Sequence, residues 1–299
     1  MALMNFEKIK SRFPRICKKE PLKNHCTFRI GGPADLFYEL TNIEELPELL
    51  TFAEENSVPY RMIGRGTNVL FTDKGFRGLI IKNLANNYSI DGEKVVAESG
   101  VILAQLVRAS VDANLTGLET FYGLPGSIGG AIYGNAGTPG NEIGKLVENI
   151  TVFSIDDGIQ ELKKDDLIFE YRHSSLQKSD KIILSVELRL QKGDRIKSKE
   201  LLKKIEEIRR GKQPIGWSAG SFFKNPSKEK AAGYLIDQVG LKGFSIGDAV
   251  ISEQHGNFFM NKGNATFADM ESLAKKAKQK VKEKFDIELE MEVKIIGDL

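Results

Sequence analysis

Residues 117–137 have the sequence GLETFYGLPGSIGGAIYGNAG and hold seven of the chain's 29 glycines. Bulky side chains such as Phe121, Ile128 and Tyr133 lie between the glycines, which is not typical of a flexible linker. Because glycine has no Cβ, such a segment lets the backbone approach a bulky group closely. Gly126 and Ser127 lie where a helix can begin, and free N–H groups at a helix start favour a phosphate. Two hypotheses follow, a nucleotide-binding segment and a glycine-rich packing turn.

A second glycine cluster, Gly64–Asn68 (GRGTN), precedes residues that predict loop and strand. It departs from the dinucleotide-binding fingerprint, because the position three residues after Gly66 is Val69 and not a third glycine. Backbone N–H groups, the Thr67 hydroxyl and the Arg65 guanidinium still suit a pyrophosphate. We therefore predict a nucleotide-binding loop outside a βαβ frame, with a plain turn as the alternative.

Composition and charge limit the class of protein. The chain has 299 residues, 41% hydrophobic and 28% charged, which is ordinary for a globular protein of two or three modules. Its net charge of +2 gives no general electrostatic reason to bind nucleic acid. No apolar run reaches the roughly 18 residues of a membrane span, and no signal core is present, so we expect a cytoplasmic protein without a membrane partner. Separately, we expect a monomer. Cys17 and Cys26 predict free thiols rather than a disulfide scaffold.

The hydrophobic pattern predicts an α+β chain. We expect two short strands joined by a turn over residues 27–40, and a later series of helices and strands. The predicted helices cover residues 41–56, 103–114, 198–210 and 266–285, and the predicted strands cover 59–63, 79–82, 94–98, 149–155 and 181–190. Near the C-terminus apolar and charged residues alternate from Ile287 to Ile295, which predicts a strand with one buried face.

Five motifs follow one another along the chain: Gly64–Asn68 (GRGTN), residues 124–137 (LPGSIGGAIYGNAG), Tyr171–Ser174 (YRHS), Gly220–Pro226 (GSFFKNP) and Leu289–Gly297 (LEMEVKIIG). Their sequences and their order resemble those of the UDP-N-acetylenolpyruvoylglucosamine reductase family. The likeness covers nearly the whole chain. It implies an α+β fold with a vanillyl-alcohol-oxidase/PCMH-type FAD-binding part. The chain resembles the shorter class of the family, which lacks the insertion that brings a tyrosine over the substrate.

The resemblance also implies a division of labour along the chain. Residues 1–62 and 63–197 would be the two FAD-binding subdomains, and residues 198–299 the α+β substrate-binding domain, whose last strand carries a catalytic glutamate. The cofactor-binding residues implied are Gly64, Arg65, Gly66, Thr67, Asn68, Gly123, Pro125, Gly126, Ser127, Gly129, Gly130, Ile132, Asn135, Ala136 and Gly137. The loop Gly64–Asn68 holds neither His nor Cys, so we expect FAD to be bound non-covalently.

The reaction implied by the resemblance is a step of peptidoglycan precursor synthesis. NADPH reduces FAD, and the hydride then passes to the enolpyruvyl carbon of UDP-N-acetylglucosamine enolpyruvate, giving UDP-N-acetylmuramate. Ser221 would supply the proton, while Arg172 and Glu292 would stabilise the developing enolate. These residue types fit, because arginine keeps its charge and binds a carboxylate through two parallel hydrogen bonds. A carboxyl group helps only if it is protonated or if it orients the arginine or a water.

Several candidate roles stay open. Lys212 and Asn225 could bind the substrate's diphosphate and His255 could lie near the substrate, but an exposed lysine, a turn asparagine and a structural histidine are the alternatives. The spacing of His, Cys, Asp and Glu suggests no metal site. Two other functions remain as hypotheses: an FAD-dependent oxidase or dehydrogenase of the same fold type, and a non-catalytic nucleotide-binding module.

Overall fold

The computed structural model describes residues 6–227 and 229–298. Its helices are α1 Phe6–Arg12, α2 Leu46–Glu55, α3 Leu103–Asp112, α4 Ile128–Tyr133, α5 Arg195–Lys212, α6 Ala232–Gln238 and α7 Phe267–Phe285. Its strands are β1 Cys17–Pro21, β2 Pro33–Leu40, β3 Tyr60–Ile63, β4 Val69–Phe71, β5 Phe76–Asn83, β6 Tyr88–Asp91, β7 Lys94–Glu98, β8 Leu115–Thr116, β9 Gly137–Thr138, β10 Asn141–Glu142, β11 Val147–Ser154, β12 Gly158–Lys163, β13 Phe169–Glu170, β14 His173–Ser174, β15 Ile182–Arg189, β16 Gln191–Lys192, β17 Ser245–Ile246, β18 Ala249–Ile251, β19 Phe259–Asn261 and β20 Lys294–Ile296.

The chain divides into two compact units. The first unit contains the residues up to Cys17, Phe37–Arg65 and Leu79–Ile208, and the second contains Lys18–Leu36, Gly66–Gly78 and the residues from Arg209 onward. A four-stranded sheet has the strand order β1-β2-β5-β3. The predicted segments 1–62, 63–197 and 198–299 were defined by what each would bind, so this division by compactness neither confirms nor contradicts them.

The first unit is built on a five-stranded sheet. Its order is β12-β11-β15-β7-β6, and neighbouring strands pair antiparallel, with Val186 of β15 between Ile150 of β11 and Ala97 of β7. These three side chains are buried, so one face of the sheet forms the core of the unit. Helix α4 packs on β7 and β15. The absence of a side chain at Gly129 permits that approach, because a Cβ there would come within 2.6 Å of the Ser99 Cβ.

The second unit combines small sheets with helices α6 and α7. Strands β17, β18 and β19 form an antiparallel sheet, and β20 pairs parallel with β4. Thr266 and Asp269 form a capping box at the start of α7. The Asp73 carboxylate also accepts the N–H groups of Phe267 and Ala268, at 2.8 and 3.3 Å. The loop that carries Asp73 is thereby fixed to α7.

Two of the predicted elements are wrong in part. Residues 27–40 contain one strand, Pro33–Leu40, and not two. The first half cannot extend, because Arg29 and Gly31 have φ angles of 57° and 144°. At the C-terminus the regular strand is limited to Lys294–Ile296, and Ile295 is 36% exposed, although Leu289 and Val293 are buried as the alternation predicted.

Candidate active site

The two glycine motifs meet within the first unit. A Cβ on Gly64 would lie 2.6 Å from the Ser127 Oγ, so the missing side chain lets the first loop contact the second motif. Beside it, Arg65 donates from Nη2 to the Gly100 carbonyl at 3.3 Å. The Arg65 Nε is buried, and the described residues offer it no hydrogen-bond partner. Burial lowers the pKa of Arg65, and the charge of Glu39 opposes that effect.

The start of α4 follows the predicted N-cap, but its donors are occupied. Ser127 accepts the N–H of Gly130 at 3.3 Å, while the N–H groups of Ile128 and Gly129 bond to the carbonyls of Val101 and Ser99, at 2.8 and 2.9 Å. The expectation of free N–H groups for a phosphate at this helix start is therefore wrong. The glycines after Ser127 allow close packing of α4, and an anion would have to use other donors of the two motifs.

Gly66 shows why the Gly64–Asn68 loop requires glycine at its third position. Its φ is 68°, and a Cβ there would come within 1.9 Å of the His25 carbonyl oxygen, in the same unit. The Gly66 carbonyl accepts the N–H of Thr27 at 3.0 Å. The residue therefore has a structural reason to be glycine, whatever else the loop binds.

Arg172 lies at the turn of the hairpin formed by β13 and β14, in the first unit. Its backbone takes a φ of 56°, its Nη1 donates to the Gly137 carbonyl at 3.1 Å, and its guanidinium lies 5.5 Å from the centre of the Tyr171 ring. The neighbouring Asn135 donates to the Glu170 carbonyl at 2.8 Å. The structure thus brings Arg172 to the C-terminal end of the glycine-rich stretch.

Ser221 and Glu292 approach each other in the second unit. Ser221 follows Gly220, whose φ is 77°, and forms an antiparallel bridge with Phe258. The N–H of Glu292 donates to the Phe222 carbonyl at 2.9 Å, and Phe223 pairs with Met291. The motifs GSFFKNP and LEMEVKIIG therefore run side by side, and Ser221 is one residue from the backbone contact of Glu292.

The three substrate-binding candidates also lie in the second unit. Lys212 is the exposed last residue of α5, and the Asn225 Oδ1 accepts the N–H of Ala232 at the start of α6, at 3.0 Å. The His255 ring lies 4.8 Å from that of Phe258, and its Nδ1 accepts the Asn257 N–H at 3.2 Å. Burial lowers the pKa of His255, and the nearby charge of Lys242 adds to that effect. The ring thus contacts the residue that pairs with Ser221.

Sequence reasoning missed two residues that hold the site segments. Asn257 is 2% exposed, accepts the Phe223 N–H at 2.9 Å and donates to the Phe223 carbonyl at 2.8 Å. Gln177 donates to the carbonyls of Tyr133 and Arg172, at 2.8 and 3.2 Å. Each contacts the backbone of a distant segment, 34 residues away for Asn257 and 44 for Gln177, which no local pattern indicates.

The residues of the two motifs fit an anionic, planar cofactor such as FAD. Gly130 is exposed and a Cβ there would meet nothing closer than 3.5 Å, so its bare backbone permits close approach, and Arg65 adds a partly unsatisfied guanidinium. Cys17 and Cys26 are free thiols, as predicted. Within the described ranges, no helix has the length and apolar character to cross a bilayer, and no cluster of three His, Cys, Asp or Glu side chains could bind a metal.

Known proteins resemble the chain along its length. The profile of the UDP-N-acetylenolpyruvoylglucosamine reductase C-terminal domain matches residues 212–296, and that of an FAD binding domain matches residues 34–161. The UDP-N-acetylenolpyruvoylglucosamine reductase of Caldanaerobacter subterraneus subsp. tengcongensis is 39% identical over 281 residues, 93% of each chain. That of Clostridium novyi is 40% identical over 93% of this chain and 91% of its own.

A solved structure supports the same family as the sequence comparisons. The crystal structure of UDP-N-acetylenolpyruvylglucosamine reductase from Thermus caldophilus matches with a TM-score of 0.80 and 33% identity, over 94% of this chain and 97% of that one. The resemblance predicted from five motifs and the PCMH-type FAD-binding fold are both confirmed. The chain therefore belongs to the UDP-N-acetylenolpyruvoylglucosamine reductase family, FAD-containing oxidoreductases of peptidoglycan precursor synthesis.

Proposed function

We propose that the chain catalyses the NADPH-driven reduction of UDP-N-acetylglucosamine enolpyruvate to UDP-N-acetylmuramate. One observation supports this beyond family membership: Ser221 adjoins the Phe222 carbonyl that binds the N–H of Glu292. A hydroxyl and a carboxyl from segments about 70 residues apart are thereby held in one unit. When FAD is bound, it supplies the hydride chemistry, with NADPH as the source.

Ser221 is the proposed proton donor to the substrate carbon. A serine hydroxyl is a weak acid in water, so it can protonate only a strongly basic carbanion that is held against it. Its backbone is fixed by the positive φ of Gly220 and by the bridge to Phe258. This rigid position is the property that such a donor needs.

Arg172 and Glu292 are the proposed groups that stabilise the enolate. The Arg172 guanidinium, oriented by the Gly137 carbonyl, can bind the enolpyruvyl carboxylate through two parallel hydrogen bonds. Glu292 acts as a protonated acid or by orienting the arginine or a water. Its half-buried position and its backbone bond to Phe222 limit its movement.

The remaining assignments complete the proposal. FAD is bound non-covalently, by the residues of Gly64–Asn68 and of the glycine-rich stretch named above, in the segments 1–62 and 63–197. Residues 198–299 bind the substrate, with Lys212, Asn225 and His255 as contacts. The enzyme acts as a monomer in the cytoplasm.

Rapid-mixing measurements of the two half-reactions test the proposal. We expect Ser221→Ala to be reduced by NADPH at the normal rate, while reoxidation by UDP-N-acetylglucosamine enolpyruvate slows by about 10²–10⁴-fold. Ser227→Ala, an exposed serine on the same segment, is the matched control and should leave both rates unchanged.

Three other results would contradict parts of the proposal. Equal slowing of both half-reactions would remove Ser221 from the role of proton donor. Normal rates of both half-reactions in Ser221→Ala would favour an oxidase or dehydrogenase, because oxidation does not protonate a substrate carbon. A non-catalytic nucleotide-binding module would purify without the visible absorption of a flavin.

A further inference from the structure

Asn68 connects the Gly64–Asn68 loop to the segment that carries Glu292. Its side-chain Nδ2 donates to the Glu292 carbonyl at 3.2 Å, and its own carbonyl accepts the N–H of Lys294 at 3.0 Å. The two residues joined by the side chain are 224 positions apart in sequence, and both lie in the second unit. A single amide therefore holds two distant motifs together.

The bond lies where regular strand pairing ends. Strands β4 and β20 pair in parallel from Val69 and Lys294 onward. Glu292 precedes the first paired residue of β20, so the ladder between the two strands does not reach its carbonyl. The Asn68 side chain supplies a donor at this position and extends the pairing beyond the end of the ladder.

The peptide groups of Glu292 are consequently held on two sides. Its N–H donates to the Phe222 carbonyl at 2.9 Å, and its carbonyl accepts from Asn68. Phe222 is 1% exposed and packs between Phe28 and Phe259, so that anchor is rigid. Asn68 is exposed, and it supplies the more easily disturbed of the two anchors.

We infer that Asn68 is a positioning residue for Glu292, in addition to any contact it makes with the cofactor. The inference rests on the proposed role of Glu292 in the reaction. Since Asn68 ends the cofactor loop, a change in the loop shifts the Glu292 backbone, and the carboxyl group moves with it. Displacing a catalytic group by about 1 Å can slow a reaction by about 10²-fold, so even a modest anchor has a kinetic effect.

The test compares Asn68→Ala with Glu290→Gln. The Glu290 side chain is 71% exposed and pairs with Lys224, so Glu290→Gln lies on the same segment without touching Asn68. Three quantities are measured in the full chain: the FAD dissociation constant, the rates of both half-reactions, and hydrogen exchange at the amides of residues 289–296.

For Asn68→Ala, measured with FAD bound, we expect NADPH reduction of the flavin to change by less than about threefold, while reoxidation by the enolpyruvyl substrate slows about 10- to 100-fold. Exchange at Glu292 and its neighbours should quicken about 3- to 10-fold, the change expected when one hydrogen bond is lost. The Glu290→Gln control should match the unaltered protein in all measurements.

Weakened FAD binding with unchanged exchange at residues 289–296 would overturn the inference and make Asn68 a cofactor ligand only. If Asn68→Ala does not fold, Asn68→Asp serves instead. Its carboxylate cannot donate to the Glu292 carbonyl until it is protonated. Compared with the unaltered protein at the same pH, exchange should therefore be faster at neutral pH, and this difference should disappear toward acid pH. A Glu292→Gln variant separates the two proposals: normal reoxidation there would refute the role of Glu292, while the exchange result would still decide whether Asn68 holds its backbone.

Discussion

The Ser127 Oγ lies 2.6 Å from the point that a Cβ on Gly64 would occupy. This proximity links two motifs 63 residues apart in the sequence, and it explains why a glycine at position 64 lies opposite a serine at position 127. Ser127 accepts the Gly130 N–H at 3.3 Å and caps α4, so moving its side chain aside would break that capping bond. Gly64 is the residue type that fits against it.

Gly64→Ala should therefore weaken the packing of the cofactor loop. We expect it to lower the free energy of unfolding by about 1–3 kcal/mol, the usual cost of overpacking, and to reduce the flavin retained on purification. Denaturant unfolding and the absorbance of bound flavin measure the two effects. The double variant Gly64→Ala/Ser127→Ala removes the clash, because the nearest Ser127 carbon would be 3.5 Å away. Its loss of stability should be smaller than the sum of the two single variants.

Gly66→Ala should destabilise the protein much more than Gly158→Ala. Both glycines have similar angles, with φ of 68° and 70°, so the intrinsic cost of an alanine there is similar, about 1 kcal/mol. At Gly66, however, the Cβ would come within 1.9 Å of the His25 carbonyl, whereas nothing lies within 4 Å at Gly158. Thermal unfolding of the two variants tests this difference. Equal losses would mean that the loop rearranges around the added methyl group.

The sequence predicts a helix or strand correctly where the local pattern of side chains is enough to specify it. Helix α7, Phe267–Phe285, matches the predicted range 266–285 to within one residue, and strand β7 covers the predicted residues 94–98, because side-chain periodicity alone specifies them. The same pattern failed for α5, where Leu201 and Ile208 are 39% and 48% exposed although their spacing predicts an inward face. The helix is longer than its core contact, so part of its apolar stripe meets solvent.

For the candidate site, too, local features were predicted from the sequence and long-range contacts were not. The motif residues were found in the sequence, but the contacts that arrange them join distant segments and have no local signal. Examples are Gly64 against Ser127, Asn68 with Glu292 and Asn257 with Phe223. The local pattern predicts a phosphate at the helix-start donors of α4, whereas two of these donors, the N–H groups of Ile128 and Gly129, bond to the carbonyls of Val101 and Ser99.

His255 should make the protein less stable in mild acid. Burial holds its pKa below the ordinary value of 6.5, so the folded state resists protonation. The unfolded chain then binds more protons, and the free energy of unfolding must fall as the pH drops through 6.5 toward the folded pKa. His255→Gln should flatten this part of the pH profile of urea unfolding between about pH 5 and 8. A slope that persists in the variant would assign the effect to another group.

Glu119 should contribute an acid-sensitive part of the stability of the first unit. The carboxylate is 4% exposed and accepts the Ser198 hydroxyl at 2.6 Å and the Gly117 N–H at 2.7 Å. Burial alone would raise its pKa, but the bonds from Ser198, Thr116 and the backbone outweigh it and hold the pKa below 4.5. Its stabilising effect is therefore complete above that pH and is lost as the pH falls through the folded value.

Ser198→Ala removes one donor from this buried carboxylate. We expect the free energy of unfolding at pH 7 to fall by about 1–3 kcal/mol, since the oxygen left behind is buried without that partner. This loss should shrink as the pH approaches 4. Without the Ser198 hydroxyl, the folded pKa of Glu119 rises toward its unfolded value, so the variant loses less stability than the unaltered protein when the carboxyl group becomes protonated. The matched control is Ser179→Ala, whose hydroxyl donates to the neutral Leu176 carbonyl at 3.1 Å, so its cost should not vary with pH. Urea unfolding of both variants from pH 4 to 8 makes the comparison, and a pH-independent cost for Ser198→Ala would mean that Glu119 does not need the hydroxyl to stay ionised.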